Sequence, residues 1–135
     1  MLASVQSFSR LVNPGWPGWV AIGDDEAPVR DALLDLLDEA GFRARAFASG
    51  EEFLASGPRS ECWCLITDIR MPGMSGLDLQ SRLNAEQFRV PIIFITAHGD
   101  ERLRMQALRA GAVEFLAKPF DDEVLLDTVR AALER

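Results

Sequence analysis

Residues 62–68 read Cys62-Trp63-Cys64-Leu65-Ile66-Thr67-Asp68, six uncharged residues closed by a carboxylate. A run this short, with no polar face, suits a strand buried on both sides. The following Arg70-Met71-Pro72-Gly73-Met74-Ser75-Gly76 is rich in turn-forming residues and reads as a loop. A helix is expected after it, from about Gly76 to Asn84. Cys62 and Cys64 stand two apart, so a regular strand places them on one face, where a disulfide between them has poor geometry. No second cysteine pair exists to complete a zinc site. Buried free thiols are expected.

The same rhythm extends in both directions. Upstream, Trp19-Val20-Ala21-Ile22 is an apolar run ended by Gly23-Asp24-Asp25. Val29, Leu33, Leu36, Leu37 and Ala40 then fall at helical spacing, with Gly41 as the stop. Residues 43–48 alternate, which predicts a strand with one open face near a sheet edge. Ser49 is expected to cap a short helix through Leu54, with Glu52 completing a capping box, and Gly57-Pro58 ends it. Downstream, residues 91–96 (PIIFIT) form the most apolar strand. Asp100 opens a helix carrying Leu103, Ala107 and Leu108, stopped by Gly111. Residues 113–117 form a last strand, ended by Lys118-Pro119. Asp121 caps a final helix with Val124, Leu125, Val129, Ala132 and Leu133 at helical spacing. Five strand–helix units in strict alternation predict an α/β fold with a parallel sheet and helices on both faces. Crossovers are right-handed. At this length the expected solution is a five-stranded, doubly wound sheet of order 2-1-3-4-5.

The chain has 135 residues, which fits one domain. Its 48% apolar and 26% charged residues are those of an ordinary globular protein. Acidic side chains outnumber basic ones 21 to 14, for a net charge of −7. That balance repels a phosphate backbone, so direct nucleic-acid binding is not expected, whereas holding a divalent cation is compatible with it. No stretch approaches a membrane span and the N-terminus lacks a signal-peptide core, so a cytoplasmic location without membrane contact is expected. Residues 1–18 differ from the rest. Asn13-Pro14-Gly15-Trp16-Pro17-Gly18 breaks local structure, and Ser4 to Val12 allow either a short helix or loose chain. The expected organisation is an extension over residues 1–18 and one domain over residues 19–135.

In an open parallel sheet, ligands bind beyond the carboxyl ends of the strands at the switch in strand order, here between strands 1 and 3. Those ends carry Asp24 and Asp25 on strand 1, Asp68 on strand 3, Thr96 on strand 4 and Lys118 on strand 5. Clustered carboxylates repel one another unless a cation is present. Two or three carboxylates with a main-chain carbonyl and water suit octahedral Mg²⁺. Lys118 and Thr96 add a positive charge and a hydroxyl that could hold phosphoryl oxygens. Asp68, on the central strand, is the best candidate nucleophile.

With these residues placed, the sequence resembles the receiver domain of two-component response regulators, particularly those joined to helix-turn-helix outputs. The resemblance covers about residues 19–135. It rests on Asp24-Asp25, on residues 66–76 (ITDIRMPGMSG), on residues 95–100 (ITAHGD) and on residues 115–120 (FLAKPF). Their spacing is specific: Asp25 to Asp68 spans 43 positions, Asp68 to Thr96 28, and Thr96 to Lys118 22.

The resemblance implies a flavodoxin-like fold in which Asp68 accepts a phosphoryl group from a sensor histidine kinase. It implies Mg²⁺ bound by Asp25, Asp68 and the main-chain carbonyl of Arg70, with Asp24 assisting, partly through water. Thr96 and Lys118 would bind the phosphoryl oxygens, and Phe115 would be the switch aromatic whose rotamer follows an inward movement of Thr96. The Lys118-Pro119 bond is expected to be cis. The output face would be built from helix 4, strand 5 and helix 5, with a homodimer through that face as one use of it. Gly23 departs from the family pattern and is expected to loosen strand 1 slightly. Arg70 and His98 flank the site and are expected to tune phosphoryl lifetime. Two other functions compete. One is a constitutive interaction module of the same fold. The other is a phosphohydrolase, disfavoured because Arg70 stands where such an enzyme needs a second acidic residue. The expected protein is a signalling switch and no conventional enzyme. Whether it acts alone or as the front of a longer transcription regulator stays open.

Overall fold

The computed structural model describes residues 18–56, 61–97 and 100–134. In chain order these form β1 (Trp19–Gly23), α1 (Ala27–Glu39), β2 (Ala44–Phe47), α2 (Gly50–Leu54), β3 (Cys62–Asp68), α3 (Gly76–Ala85), β4 (Ile92–Thr96), α4 (Glu101–Arg109), β5 (Glu114–Ala117) and α5 (Asp122–Leu133). The strands pair in parallel in the order β2-β1-β3-β4-β5, as the sequence predicts. β2 is an edge strand, in keeping with its alternating residues.

Two apolar layers sandwich the sheet. On one side Val20, Ile22, Cys64, Ile66, Ile93 and Ile95 meet Leu33 and Leu37 of α1 and Leu125, Val129 and Ala132 of α5. On the other, Trp19, Ala21, Leu65 and Phe94 meet Phe53 of α2, Leu79 and Leu83 of α3 and Ala107 of α4. The central strands bury side chains on both faces, which is why they read as uninterrupted apolar runs.

The two cysteines correct the sequence reading. Trp19 pairs with Cys62 but Val20 pairs with Cys64, so Trp63 is an extra residue and the register shifts. Such a bulge reverses the alternation beyond it. Cys62 therefore packs in the layer of α2, α3 and α4, and Cys64 in the layer of α1 and α5. Both are buried free thiols, as expected. Burial pushes the Cys62 thiol up to about 12 and Cys64 further still.

The caps explain where the helices begin. Ser49 Oγ accepts from the Glu52 amide at 3.1 Å. The Glu52 carboxylate, however, accepts from the Ala48 amide at 2.7 Å, one residue before the partner a capping box requires. A complete box stands instead at α3. There Ser75 accepts from the Asp78 amide and Asp78 accepts from the Ser75 amide, each at 3.1 Å. Asp100 and Asp121 cap α4 and α5 as predicted. β1 runs through Gly23, which pairs with both Phe47 and Thr67, so the expected loosening is not found. A Cβ on Gly23 would lie 3.0 Å from Thr67 Oγ1, so glycine lets the strands pack closely at this point. Expectations for Ser4 to Val12, Trp16, Gly57-Pro58 and His98 fall outside the described residues.

Candidate functional site

The parallel sheet carries Asp24, Asp68, Thr96 and Lys118 to one edge because each directly follows or ends a strand. β1 and β3 are neighbours, so Asp24 and Asp68 come together although 44 positions separate them. Asp24, Asp25 and Asp68 each present a carboxylate oxygen within 4.8 Å of the others. Asp24 is fully buried and Asp68 nearly so, while Asp25 is exposed. The adjacent aspartates thus divide into one held inside and one facing solvent.

Lys118 joins the cluster from β5's end. Its Nζ donates to Asp24 Oδ2 and to Asp68 Oδ2, each at 2.9 Å. Desolvation pulls the Lys118 ammonium down, but hydrogen bonds and charge attraction from Asp24 and Asp68 outweigh it and raise its pKa above 10.5. Asp24 moves up from 3.8, because desolvation by burial exceeds the opposing help of the Glu26 amide and Lys118. Three carboxylates against one ammonium leave two negative charges, the charge of one divalent cation. The donors are hard oxygens, so this set fits Mg²⁺.

Every polar atom of Asp24 is engaged. Its amide donates to Phe47 O at 3.1 Å. Its Oδ1 accepts from the Glu26 amide at 2.9 Å, and its main-chain carbonyl accepts from Arg30 Nη1 at 2.7 Å. Asp24 does not cap α1, whose N-cap is Glu26 with no side-chain cap bond. Asp68 Oδ1 accepts from the Arg70 amide at 3.1 Å, an Asx turn that shapes the loop while Oδ2 faces Lys118.

Thr96 ends β4 and is fully buried, and its carbonyl accepts from the Lys118 amide at 2.8 Å, which ties the ends of β4 and β5 together. The Lys118-Pro119 peptide is cis. Phe115, on β5, is half-buried, with its ring 6.4 Å from that of Phe94. Arg70 is exposed beside a cleft of about 550 Å³ that Asp25, Met71, Ser75 and Leu103 also line. Two contacts near the site escaped the sequence reading. One is Arg30 on the Asp24 carbonyl. The other is Glu51 of α2, whose Oε2 accepts from the Met74 amide at 3.1 Å and tethers the loop after β3. Nothing in local spacing pairs residues 51 and 74. A cation in the opening turn of α1 was a visible signal for Arg30.

The sequence pattern of the response regulator receiver domain matches residues 20–130. The chain belongs to this family. The response regulator TodT of Pseudomonas putida is 46% identical over 115 residues, covering 85% of this chain and 51% of TodT. The transcriptional regulatory protein FixJ of Bradyrhizobium diazoefficiens is 40% identical over 118 residues, covering 87% of this chain and 58% of FixJ. The chain spans about half the length of the curated relatives it matches. A crystal structure of FixJ-N superposes with a TM-score of 0.80 at 42% identity, covering 87% of this chain and 94% of that one. A structure of the response regulator StyR gives a TM-score of 0.80 at 45% identity, covering 87% and 59%. This receiver domain therefore has the CheY-like, two-component fold that the sequence resemblance implied. Among the described residues, no helix is long and apolar enough to cross a membrane.

Proposed function

We propose that this receiver domain accepts a phosphoryl group from the phosphohistidine of a sensor histidine kinase onto Asp68, beside a bound Mg²⁺, and that phosphorylation switches a protein-binding surface. The observation that carries this reading is the juxtaposition of Asp68 Oδ2 with Lys118 Nζ at 2.9 Å inside a three-carboxylate cluster. Asp25, Asp68 and the Arg70 carbonyl would hold the ion, with Asp24 assisting. When bound, Mg²⁺ supplies neutralising charge to the attacking carboxylate and the phosphoryl oxygens. An Asp68 oxygen attacks phosphorus while the phosphorus–nitrogen bond of the donor breaks, its electron pair staying on the imidazole. The Lys118 ammonium and the Thr96 hydroxyl hydrogen-bond the phosphoryl oxygens where charge accumulates. Later attack by water releases phosphate and restores the carboxylate, with Arg70 and His98 tuning that rate. No external substrate is turned over, so the chemistry is that of a switch and not of a conventional enzyme.

Thr96 moves toward the phosphoryl group, and Phe115 follows by packing. The readout surface is the face of α4, β5 and α5. The helices of that face expose two large apolar side chains, Met105 of α4 and Val124 of α5, which supports a protein partner or a second copy of this chain there. The activity is assigned to residues 19–135, in the cytoplasm, without membrane or direct nucleic-acid contact, with control of transcription as its output. The intact set of Asp24, Asp25, Asp68, Thr96 and Lys118 favours this reading over a constitutive interaction module. The test is intact mass after incubation with acetyl phosphate, with and without Mg²⁺, alongside Asp68→Asn. One phosphoryl adduct that needs Mg²⁺ and is absent in the variant is expected. No adduct on folded protein, with rapid hydrolysis checked by phosphate release, would favour the constitutive module.

A further inference from the structure

We infer that Arg30, outside the phosphoryl site, is a positioning residue that sets the geometry of the Asp24–Asp25 pair and so the affinity for Mg²⁺; this rests on the metal-assisted reading above. Arg30 lies in the opening turn of α1, its side chain running back over the loop that joins β1 to α1. Its Nη1 donates to the Asp24 carbonyl at 2.7 Å, the short length of a charge-assisted bond. That carbonyl belongs to the peptide linking Asp24 to Asp25. Fixing the plane of this peptide fixes where the next residue's side chain departs. The Asp24 side chain is pinned independently, by the Glu26 amide and by Lys118. Asp25 is exposed and does not cap α1, whose N-cap is Glu26. The peptide that Arg30 holds is therefore the main restraint on how the exposed carboxylate meets the buried one.

Helix stability does not account for Arg30. The first turn of α1 contains no acidic residue, and a cation near a helix N-terminus opposes the helix dipole. A residue that breaks a local preference needs compensation elsewhere, and the bond to Asp24 supplies it. Partners that orient a metal ligand from behind commonly alter metal affinity when removed.

The test is titration of wild-type and Arg30→Ala protein with Mg²⁺ alone by isothermal calorimetry. Urea unfolding in chelator and amide hydrogen exchange run alongside. Arg30→Ala is expected to bind Mg²⁺ roughly tenfold more weakly. Its urea midpoint should stay near wild type, and exchange should be unchanged in β3 and β4. Arg30→Gln keeps the stem along α1, is expected to weaken binding in the same direction, and serves if the alanine variant does not fold. Affinity within about twofold of wild type in a folded variant overturns the inference. So does weaker binding accompanied by faster exchange throughout the sheet, which marks general loosening. Wild-type protein that takes up no Mg²⁺ overturns the metal-assisted reading as well, and so separates the two failures.

Discussion

Replacing Gly76 with alanine sets helix propensity against packing, and the two effects have opposite signs. Gly76 is the first residue of α3 and its backbone is not in the left-handed region, so alanine fits its conformation. On propensity alone the change stabilises by up to about 1 kcal/mol. A Cβ built at this position, however, lies 2.2 Å from the Asp68 carbonyl oxygen and 3.1 Å from both Asp68 C and Ile69 Cα. Ordinary contact begins at 3.4 Å, so the overlap is about 1.2 Å. The obstructing atoms are all backbone and cannot rotate aside. The helix start is also held in place, because the Gly76 amide donates to Ile69 O at 2.8 Å. Overpacking costs about 1–3 kcal/mol, and rigid neighbours put this case near the top of that range. The net expectation is a loss of about 2 kcal/mol, or about 8 °C in melting temperature for a domain of this size. Urea unfolding with an unchanged denaturant slope is the assay. The overlap falls on the peptide of Asp68, so Mg²⁺ affinity should fall together with stability. A Gly76→Ala protein as stable as wild type, or more so, would refute the packing argument.

Three other perturbations test separate parts of the structure. Lys118 titrates above its ordinary 10.5, so its ion pairs contribute fully at neutral pH and that contribution is lost as pH rises through the raised value. Urea melts between about pH 9 and about pH 11.5 should therefore show a steeper loss in wild type than in Lys118→Met, which starts lower at neutral pH because it leaves Asp24 and Asp68 without their shared cation. Both thiols are buried and titrate high, so a disulfide reagent near neutral pH should leave the native protein unlabelled and label two thiols after unfolding; rapid labelling of the native chain would contradict their placement in the two core layers. Glu51→Ala removes the acceptor of the Met74 amide, and at this exposed position it should cost no more than about 1 kcal/mol. Hydrogen exchange at Met74 should quicken selectively, and unchanged exchange there would count against the tether.

The strands and their order were legible because each buried strand is an unbroken apolar run closed by a polar residue. Strict alternation with helices leaves few topologies, and the acidic residues at the ends of β1 and β3 then meet without further assumption. Boundaries shifted where the last residue of a run also pairs, as at Gly23 and Asp68. The bulge at Trp63 was not legible. CWC reads as regular alternation, and the extra residue exists only relative to Trp19 and Val20 on the neighbouring strand. The partner of the Glu52 carboxylate was misassigned by one residue for a related reason. Spacing brings a side chain near a helix start, but the path of the preceding chain decides which amide is within reach.

The sequence by itself determined the α/β class, the strand order and the acidic edge with its lysine and threonine, because these follow from local periodicity and from which residues end each strand; the family was legible only through the resemblance of Asp24-Asp25 and of residues 66–76, 95–100 and 115–120 to a known pattern. Tertiary structure alone decided that Asp24 is buried while Asp25 is exposed, and that one ammonium spans Asp24 and Asp68. It also decided that Cys62 and Cys64 part to opposite layers, and that Glu51 holds the loop after β3. The physical reason is common to all four. Burial, bridging geometry and register are properties of segments distant in the chain meeting in space, and no local pattern encodes a distance between them.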